Sequence, residues 1–498
     1  MIKKSELPEG WGKATIGEVC EILAGYGFPK DLQGKASGDL PFYKVGDISQ
    51  AWLSGNRYLV KANNYLSQEE AKKIKAKTLP AGTTVMAKIG EAIKLNRRAL
   101  LAKPSLVDNN VMGIYPKPAY VDPRYNFYYL MTISLGDYSQ ATTVPSVRKT
   151  DVSEIFFPLA PLDQQKRIVA EIEKQFSRLD EAVAALKRIE ANLKRYKASV
   201  LKAAIEGKLT EEWRSRRGEP ACSPSVGSGQ THGPAPTKDE TGAELLKRIL
   251  VERRKKWEED YVKKYIGAHG HAPKDDSWKK KYKEPAAPDT SNLPKLPNGW
   301  VWATVEQLAT KVQYGSSSKT NENSSGISVL RMGNIFEGRL GLDDLKYLPQ
   351  NHSEIPDLLL EEGDLLFNRT NSPELVGKSA VYLGKPKPCS FASYLIRVQF
   401  NKKVNSSLIS FYVNSIHGRN WIKAVVSQQV GQANVNGTKL QALAVPLPPQ
   451  IEQNEIVEEV ERCLSVAEEI GAAVETNLKR AYRLRQSILK EAFEGNLI

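Results

Sequence analysis

Leu179, Val183, Leu186, Ile189, Leu193, Tyr196 and Val200 stand 4, 3, 3, 4, 3 and 4 residues apart, separated by charged and polar residues and by alanines. Their mean spacing of 3.5 is that of a coiled-coil seam and predicts one long helix within residues 158–210. A looser series, Val460, Leu464, Ala467, Ile470, Val474, Ala481, Leu484 and Ile488, predicts a second within residues 447–498. Pro161 and Pro449 suit first helical turns, where a missing N–H costs little. Asp163 and Glu452 add negative charge there, and Gly207 and Gly495 supply the stops. Elsewhere, short β-rich runs such as VLRMGNI, GDLLFNRT and SAVYLG are bounded by Gly, Asn and Pro and read as strands. Residues 123–134 and 406–417 read as a matching pair of amphipathic helices.

The pattern is written twice. Residues 201–209, LKAAIEGKL, answer residues 489–497, LKEAFEGNL, and FPLAPLDQQ ending at Gln165 answers VPLPPQIEQ ending at Gln453, both at an offset of 288. The openings LPEGW and LPNGW lie 289 apart, KVGDI and RMGNI 287, and LPAGTTVMAKIG and LEEGDLLFNRTN 281. Shifting offsets within a kept order mean loops of different length on one frame, and loops are where selectivity resides. The expected division is residues 1–157 and 294–446 as two mixed α/β domains, 158–210 and 447–498 as the long helices, and 211–293 as a linker. Residues 219–241 of that linker are rich in Pro, Gly, Ser and Thr and are expected to lack order. A helix near 240–266 follows.

A chain of 498 residues with 41% hydrophobic content has room for several cores. Its formal charge of +14 makes an acidic partner such as nucleic acid a candidate. Residues 243–283 alone carry thirteen Lys and Arg against seven Asp and Glu, with Trp257, Tyr261, Tyr265, Trp278 and Tyr282 among them. These rings could stack on bases, or could dock the helix on a neighbouring domain with its charged side in water. The docked reading is the better supported of the two. Cys20, Cys222, Cys389 and Cys463 have neither zinc-ligand spacing nor the density of a disulfide scaffold, which points to a reducing cytoplasm. The N-terminus has no apolar signal-like core, and no run of about eighteen apolar residues suggests a membrane span. Catalytic patterns are missing. LVGKS at 375–379 resembles the end of a phosphate loop, but Ser372 stands where its first Gly belongs and Pro373 removes a donor. His269 and His271 lack further ligands nearby, and no Asn/Asp-Pro-Pro-Tyr segment for holding a flipped base occurs.

Taken together, LPEGW, LPNGW, RMGNI, GDLLFNRTNSPELVGKSAVY, VGQANVNGTKL, PLPPQIEQ and SILKEAFEGNLI resemble the DNA specificity subunit of type I restriction-modification enzymes. The first copy departs from the pattern at Asp163–Gln165 and at residues 87–92, AKIGEA. The resemblance implies an α+β fold: two target-recognition domains joined by two long antiparallel coiled-coil helices, with an internal pseudo-two-fold repeat. It implies a non-catalytic subunit that binds a bipartite, asymmetric double-stranded DNA target, one half per domain, with the helices setting the unread spacer. The implied partners are two methyltransferase subunits and restriction/translocase subunits. No cofactor is expected on this chain, and S-adenosylmethionine, ATP and magnesium are expected on the partners.

With DNA as the expected ligand, polar loop residues become candidate readers of bases, and Lys and Arg candidate phosphate contacts. In the first domain these are Lys44, Lys88, Arg97, Arg98, Arg148 and Lys149. In the second they are Arg331, Asn334, Asn368, Arg369, Asn371, Lys378, Gln432 and Asn434. The Asn residues of RMGNI and FNRTN could instead hold turns. Helix packing is assigned to Leu179, Val183, Leu186, Leu193, Val200, Ile470, Val474, Ala481 and Ile488. The alternatives are a protein-only coiled-coil scaffold, which would show no duplex preference, and an enzyme, which the missing motifs disfavour.

Overall fold

A computed structural model describes residues 7–139, 145–218, 240–429 and 432–498. All but the last two residues of the stretch expected to lack order, 219–241, lie outside the described residues. The chain forms two compact units: Met1–Ile189 with Ala473–Ile498, and Glu190–Ala472. The helices are therefore not domains of their own, because each unit takes part of both.

In the first unit a five-stranded sheet runs in the order Cys20–Ala24, Val111–Pro116, Thr84–Ala87, Arg98–Leu101 and Tyr58–Leu59. Its central strands are apolar on both faces. Val85, Ala99, Leu101 and Val111 enter one core, while Met86, Leu100, Met112 and Ile114 enter another. Successive strand residues point to opposite faces, so a sheet between two cores needs an unbroken apolar run. The second unit repeats the plan with strands Ala309–Tyr314, Leu395–Phe400, Leu365–Asn368 and Ser379–Val381. There Leu365, Phe367, Ile396 and Val398 face one core and Leu366, Ala380 and Leu395 the other. Burying a side chain such as Phe367 contributes roughly 1.5–3 kcal/mol. Each unit also has a three-stranded sheet, Leu40–Tyr43 between Tyr65–Leu66 and Leu106–Val107, and Ile327–Leu330 between Lys346–Leu348 and Cys389–Phe391. A two-stranded ribbon pairs Gly12 with Leu159 in the first unit and Val301 with Leu447 in the second.

The helix predicted at 123–134 is Pro123–Leu130, and it is not amphipathic: every residue from Tyr125 to Leu130 is buried. Its expected counterpart at 406–417 is broken. Ser406–Asn414 ends at Ser415, whose extended backbone and hydroxyl start a second helix, Ile416–Val425.

The long helices are Leu162–Ile205 and Gln450–Phe493. In the first unit Ile168, Ile172 and Phe176 share a core with Ile488, Leu489, Ala492 and Phe493, and the Arg485 guanidinium lies 4.5 Å over the Phe176 ring. In the second unit Val200, Ala204 and Ile205 share a core with Ile456, Val457, Val460 and Cys463. There Leu193 meets Gly471 and Tyr196 meets Cys463, so numbers rise along one helix as they fall along the other, and the pair is antiparallel. Leu179, Val200, Val474, Ala481 and Ile488 are buried as expected, and Val183, Leu186 and Leu193 are half-buried. Ile470 is corrected: it is 42% exposed, and Gly471 faces the partner helix instead. Ile189, Tyr196 and Leu484 are likewise largely exposed. A helix of 3.6 residues per turn drifts by about 20° per heptad relative to a 3.5 repeat, so the contact stripe changes phase along the helix.

Each helix is pinned at its first turn by the same side chain. Gln165 Oε1 accepts from Asp122 N at 2.8 Å while its Nε2 donates to Ala160 O at 2.7 Å. Gln453 Oε1 accepts from Asn405 N at 2.8 Å and its Nε2 donates to Pro448 O at 3.0 Å. Gly207 and Gly495, at φ +71° and +81°, end the helices as expected.

The linker helix is Gly242–His269, with a capping box between Thr241 and Glu244. A Cβ on Gly242 would lie 2.2 Å from Leu447 O, so glycine is required where the helix enters the second unit. Leu245 and Ile249 dock it in that unit's core. Its aromatic face is covered by the chain's own return at Ser277–Lys281, with the Tyr261 and Trp278 rings 4.8 Å apart and nearly parallel. In this arrangement the rings stack on one another and not on an open surface.

Candidate nucleic-acid interface

Three main-chain hydrogen bonds gather four separate segments at one place in each unit. In the first, Asp108 N donates to Tyr43 O at 2.9 Å, Lys88 N to Asn110 O at 2.9 Å, and Val147 N to Lys88 O at 3.0 Å. In the second, Ala392 N donates to Leu330 O at 2.9 Å, Arg369 N to Tyr394 O at 3.0 Å, and Val435 N to Arg369 O at 2.9 Å. The bonds correspond one for one through the repeat offsets. Lys44 and Arg331 therefore follow equivalent strands, Lys88 and Arg369 occupy equivalent crossings, and Ser146 and Asn434 face Ile89 and Thr370 across equivalent bridges.

The frame brings together several of the predicted residues. Lys44 is half-buried, with its Nζ 2.7 Å from Gln33 Oε1 and 5.0 Å from the Phe28 ring centroid. Lys88 and Arg97 are half-buried, and Arg148 and Lys149 are exposed at the start of the helix Lys149–Ser153. In the second unit, strand Thr370–Asn371 pairs with Gln432–Asn434, joining the FNRTNS and VGQANVNGTKL motifs. Asn434 Nδ2 donates to Thr370 Oγ1 at 2.6 Å, and Asn371 Oδ1 accepts from Ser372 N at 2.8 Å. Lys378 is half-buried. Gln432 contributes its backbone to the strand, and its side chain lies outside the described residues.

Three expectations are corrected. Arg98 is 1% exposed, and its guanidinium donates to Ile133 O at 2.6 Å and Asn96 O at 3.1 Å. Burial pushes its pKa down to about 9. It shares a sheet face with Leu100, so it braces a loop inside the core. Asn334 is buried: its Oδ1 accepts from Arg331 N at 2.8 Å, and its Nδ2 donates to Gly341 O at 2.9 Å and Asp344 O at 3.1 Å. Asp47 holds the equivalent turn in the first unit by accepting from Lys44 N at 2.7 Å. Asn368 is also buried, with its Nδ2 3.5 Å from Leu375 O. The Asn334 side chain holds a turn, while Asn368 closes its turn through its backbone and leaves its buried Oδ1 without a described partner. Arg331 is tied to Asp344 by an ion pair at 2.8 Å.

The LVGKS segment is a turn, with Gly377 at φ +78° donating its N–H to Asn368 O at 2.7 Å. Among the described residues no cluster of three or more His, Cys, Asp or Glu could hold a metal. No described helix is long and apolar enough to cross a membrane. Sequence reasoning missed Tyr314, whose ring lies 4.8 Å beneath the Arg369 guanidinium. It also missed Arg57, which packs over Tyr128 and Phe176 and donates to the Tyr128 hydroxyl at 2.5 Å. A strand ending in an exposed aromatic was the available signal for Tyr314.

A family model described as the type I restriction modification DNA specificity domain matches residues 8–195 and 297–476. The chain is 23% identical to the type I restriction enzyme EcoKI specificity subunit of Escherichia coli strain K12, over 99% of this chain and 90% of that one. It is 21% identical to the StySPI specificity subunit of Salmonella potsdam, over 100% of this chain and 91% of that one. Among solved structures, the HsdS subunit from Thermoanaerobacter tengcongensis superposes with a TM-score of 0.52 at 17% identity, covering 100% of each chain. A chain from a study of complex assembly and conformational transition in the type I R-M system gives 0.60 at 16% identity, covering 99% of each.

Proposed function

The chain belongs to the type I restriction-modification DNA specificity family, and we propose that it reads a split, asymmetric duplex sequence for its complex, one half-site per recognition domain. The observation that carries this reading is the duplicated four-segment frame, built from the same backbone bonds but ending in different side chains: Lys44 and Lys88 in one unit, Arg331 and Arg369 in the other. Equal frames with unequal contact groups suit two different half-sites. The surplus of basic residues supplies phosphate attraction, and polar side chains in the frame supply base contacts.

In this reading the chain carries no chemistry of its own. Two methyltransferase subunits and restriction/translocase subunits dock on it in the cytoplasm, and S-adenosylmethionine, ATP and magnesium belong to those partners. Lys88, Arg97, Arg148 and Lys149 are the contacts proposed for the first half-site, and Arg369, Asn371, Lys378, Gln432 and Asn434 for the second. Lys44 and Arg331 contribute at the frame's edge. Exchanging residues 294–446 for the corresponding domain of a relative tests the proposal. The complex should acquire one new half-site and keep the other, as read by mapping methylated adenines in DNA. Loss of both halves, or no preference for any duplex with the methyltransferase partner present, would overturn it.

A further inference from the structure

Arg331 and Arg369 each follow a strand of the second frame, Ile327–Leu330 and Leu365–Asn368, but only one of them is held by a counter-ion. Arg331 is paired with Asp344. The guanidinium of Arg369 makes no hydrogen bond to any described residue, and its Nε is buried without a partner. What positions it is an aromatic ring: its Cζ stands 4.8 Å from the centroid of Tyr314. Tyr314 is in turn fixed, because its hydroxyl accepts from Gly437 N at 2.8 Å, while its ring is 43% exposed. The Arg369 backbone is bonded on both sides, to Tyr394 O and from Val435 N. This is a cation with a fixed stem and a supported head group. Its buried Nε leaves the terminal nitrogens to face a ligand.

We propose that Arg369 is a guanine reader in the second half-site and that Tyr314 is its positioning residue. The assignment rests on the reading of function above and adds to it a base and a partner side chain. Two forked N–H groups match the O6 and N7 acceptors of guanine in the major groove, a match that a point charge cannot make. Holding the fork over a ring removes part of the rotamer freedom that a free arginine would lose on binding. In the first unit the described cation–ring contact of the frame is at Lys44 and Phe28, and not at the crossing equivalent to Arg369. Lys88 occupies the equivalent crossing, and Ala24 stands where the repeat places Tyr314. A lysine there makes a less base-selective contact, so the two half-sites differ in how sharply this one position is read.

The test selects duplexes from a library randomised in both half-sites, using the full chain in complex with its methyltransferase partners. Wild-type should enrich one guanine in the second half-site. R369K and R369Q should relax that position by about ten- to a hundredfold while leaving the first half-site unchanged. Y314L should relax it by a smaller factor with an unchanged salt slope, because the charge remains, and Y314F, which keeps the ring, should retain most of the selection. A merely structural role for Tyr314 would lower the unfolding temperature without moving the base preference. The proposal is overturned if R369K and Y314L select the same sequences as wild-type. It is also overturned if R369Q weakens all sequences equally and flattens the salt slope, the signature of a phosphate contact. A wild-type complex that enriches no sequence would instead overturn the reading of function itself.

Discussion

The indole N–H of Trp300 donates to Glu452 at 2.8 Å, joining the LPNGW opening to the first turn of the C-terminal helix across 152 residues. The other carboxylate oxygen accepts from Thr210 Oγ1 at 2.8 Å and from Arg214. In the first repeat the same indole, Trp11, donates to a neutral Gln164 at 3.0 Å. One structural joint is thus made with a charge in one copy and without it in the other.

Removing that charge has a graded expected outcome. Glu452→Ala takes the acceptor from an indole N–H and a hydroxyl and the counter-ion from Arg214, and should cost about 3 kcal/mol, the low end for a broken buried pair because Arg214 keeps Thr210, Gly207 and some contact with water. Glu452→Gln restores the Trp11–Gln164 arrangement and should cost only about 1–2 kcal/mol. Urea unfolding followed by a probe in each unit should show the second unit's transition moving and the first unit's staying. Equal costs for both substitutions would show that the carboxylate does no more than an amide.

Gly471 lies in the interior of a helix, and a Cβ there would meet Leu193 Cδ1 at 4.0 Å, an ordinary contact. Gly471→Ala should therefore stabilise the protein by roughly 0.5–1 kcal/mol through helix propensity and reduced unfolded-state freedom. A lowered melting temperature in calorimetry would mean that the helices need a closer approach at this position.

Asn334→Ala should lower stability by about 1–3 kcal/mol, since it leaves Arg331 N without its acceptor and Gly341 O and Asp344 O without their shared donor. The bases selected in the second half-site should be unchanged among molecules that fold. A changed base at one position with normal stability would return Asn334 to the set of DNA contacts.

Cys20 and Cys389 are buried in the sheets of the two units, and burial pushes both thiols up to about 12. Well below pH 9 both are neutral whether the chain is folded or not, and they cost nothing. Between pH 9 and about 12 the unfolded thiols ionise and the folded ones do not, so stability falls with rising pH, by at most about 1.4 kcal/mol per unit for each thiol. Chemical unfolding at pH 8 and pH 10 should show that loss, and Cys20→Ser with Cys389→Ser should reduce it. Rapid labelling of either thiol at pH 8 in native protein would contradict the burial.

The repeat, its changing offsets and both long helices could be read from the sequence because they depend on spacing, and spacing survives in a one-dimensional string. The phase of the helix seam could not. Ile470 and Gly471 differ by one position, and apolar character alone favours the wrong one. Arg98 misled for a related reason: an arginine looks the same in sequence whether it faces water or a buried carbonyl. Strand parity was the usable signal, since Arg98 lies two residues before the buried Leu100 in RALL. The Tyr314–Arg369 contact joins residues 55 positions apart, one at a strand's end and the other between two strands, and no local pattern announces it.

The segments that converge in each frame are joined by amide-to-carbonyl bonds, and those bonds are indifferent to the side chains they carry. Lysine can stand at a crossing in one half and arginine in the other while the scaffold beneath keeps its form. On the proposed reading, such a surface changes its target by single codon replacements without refolding, and new recognition sequences lie within short mutational reach of the present one.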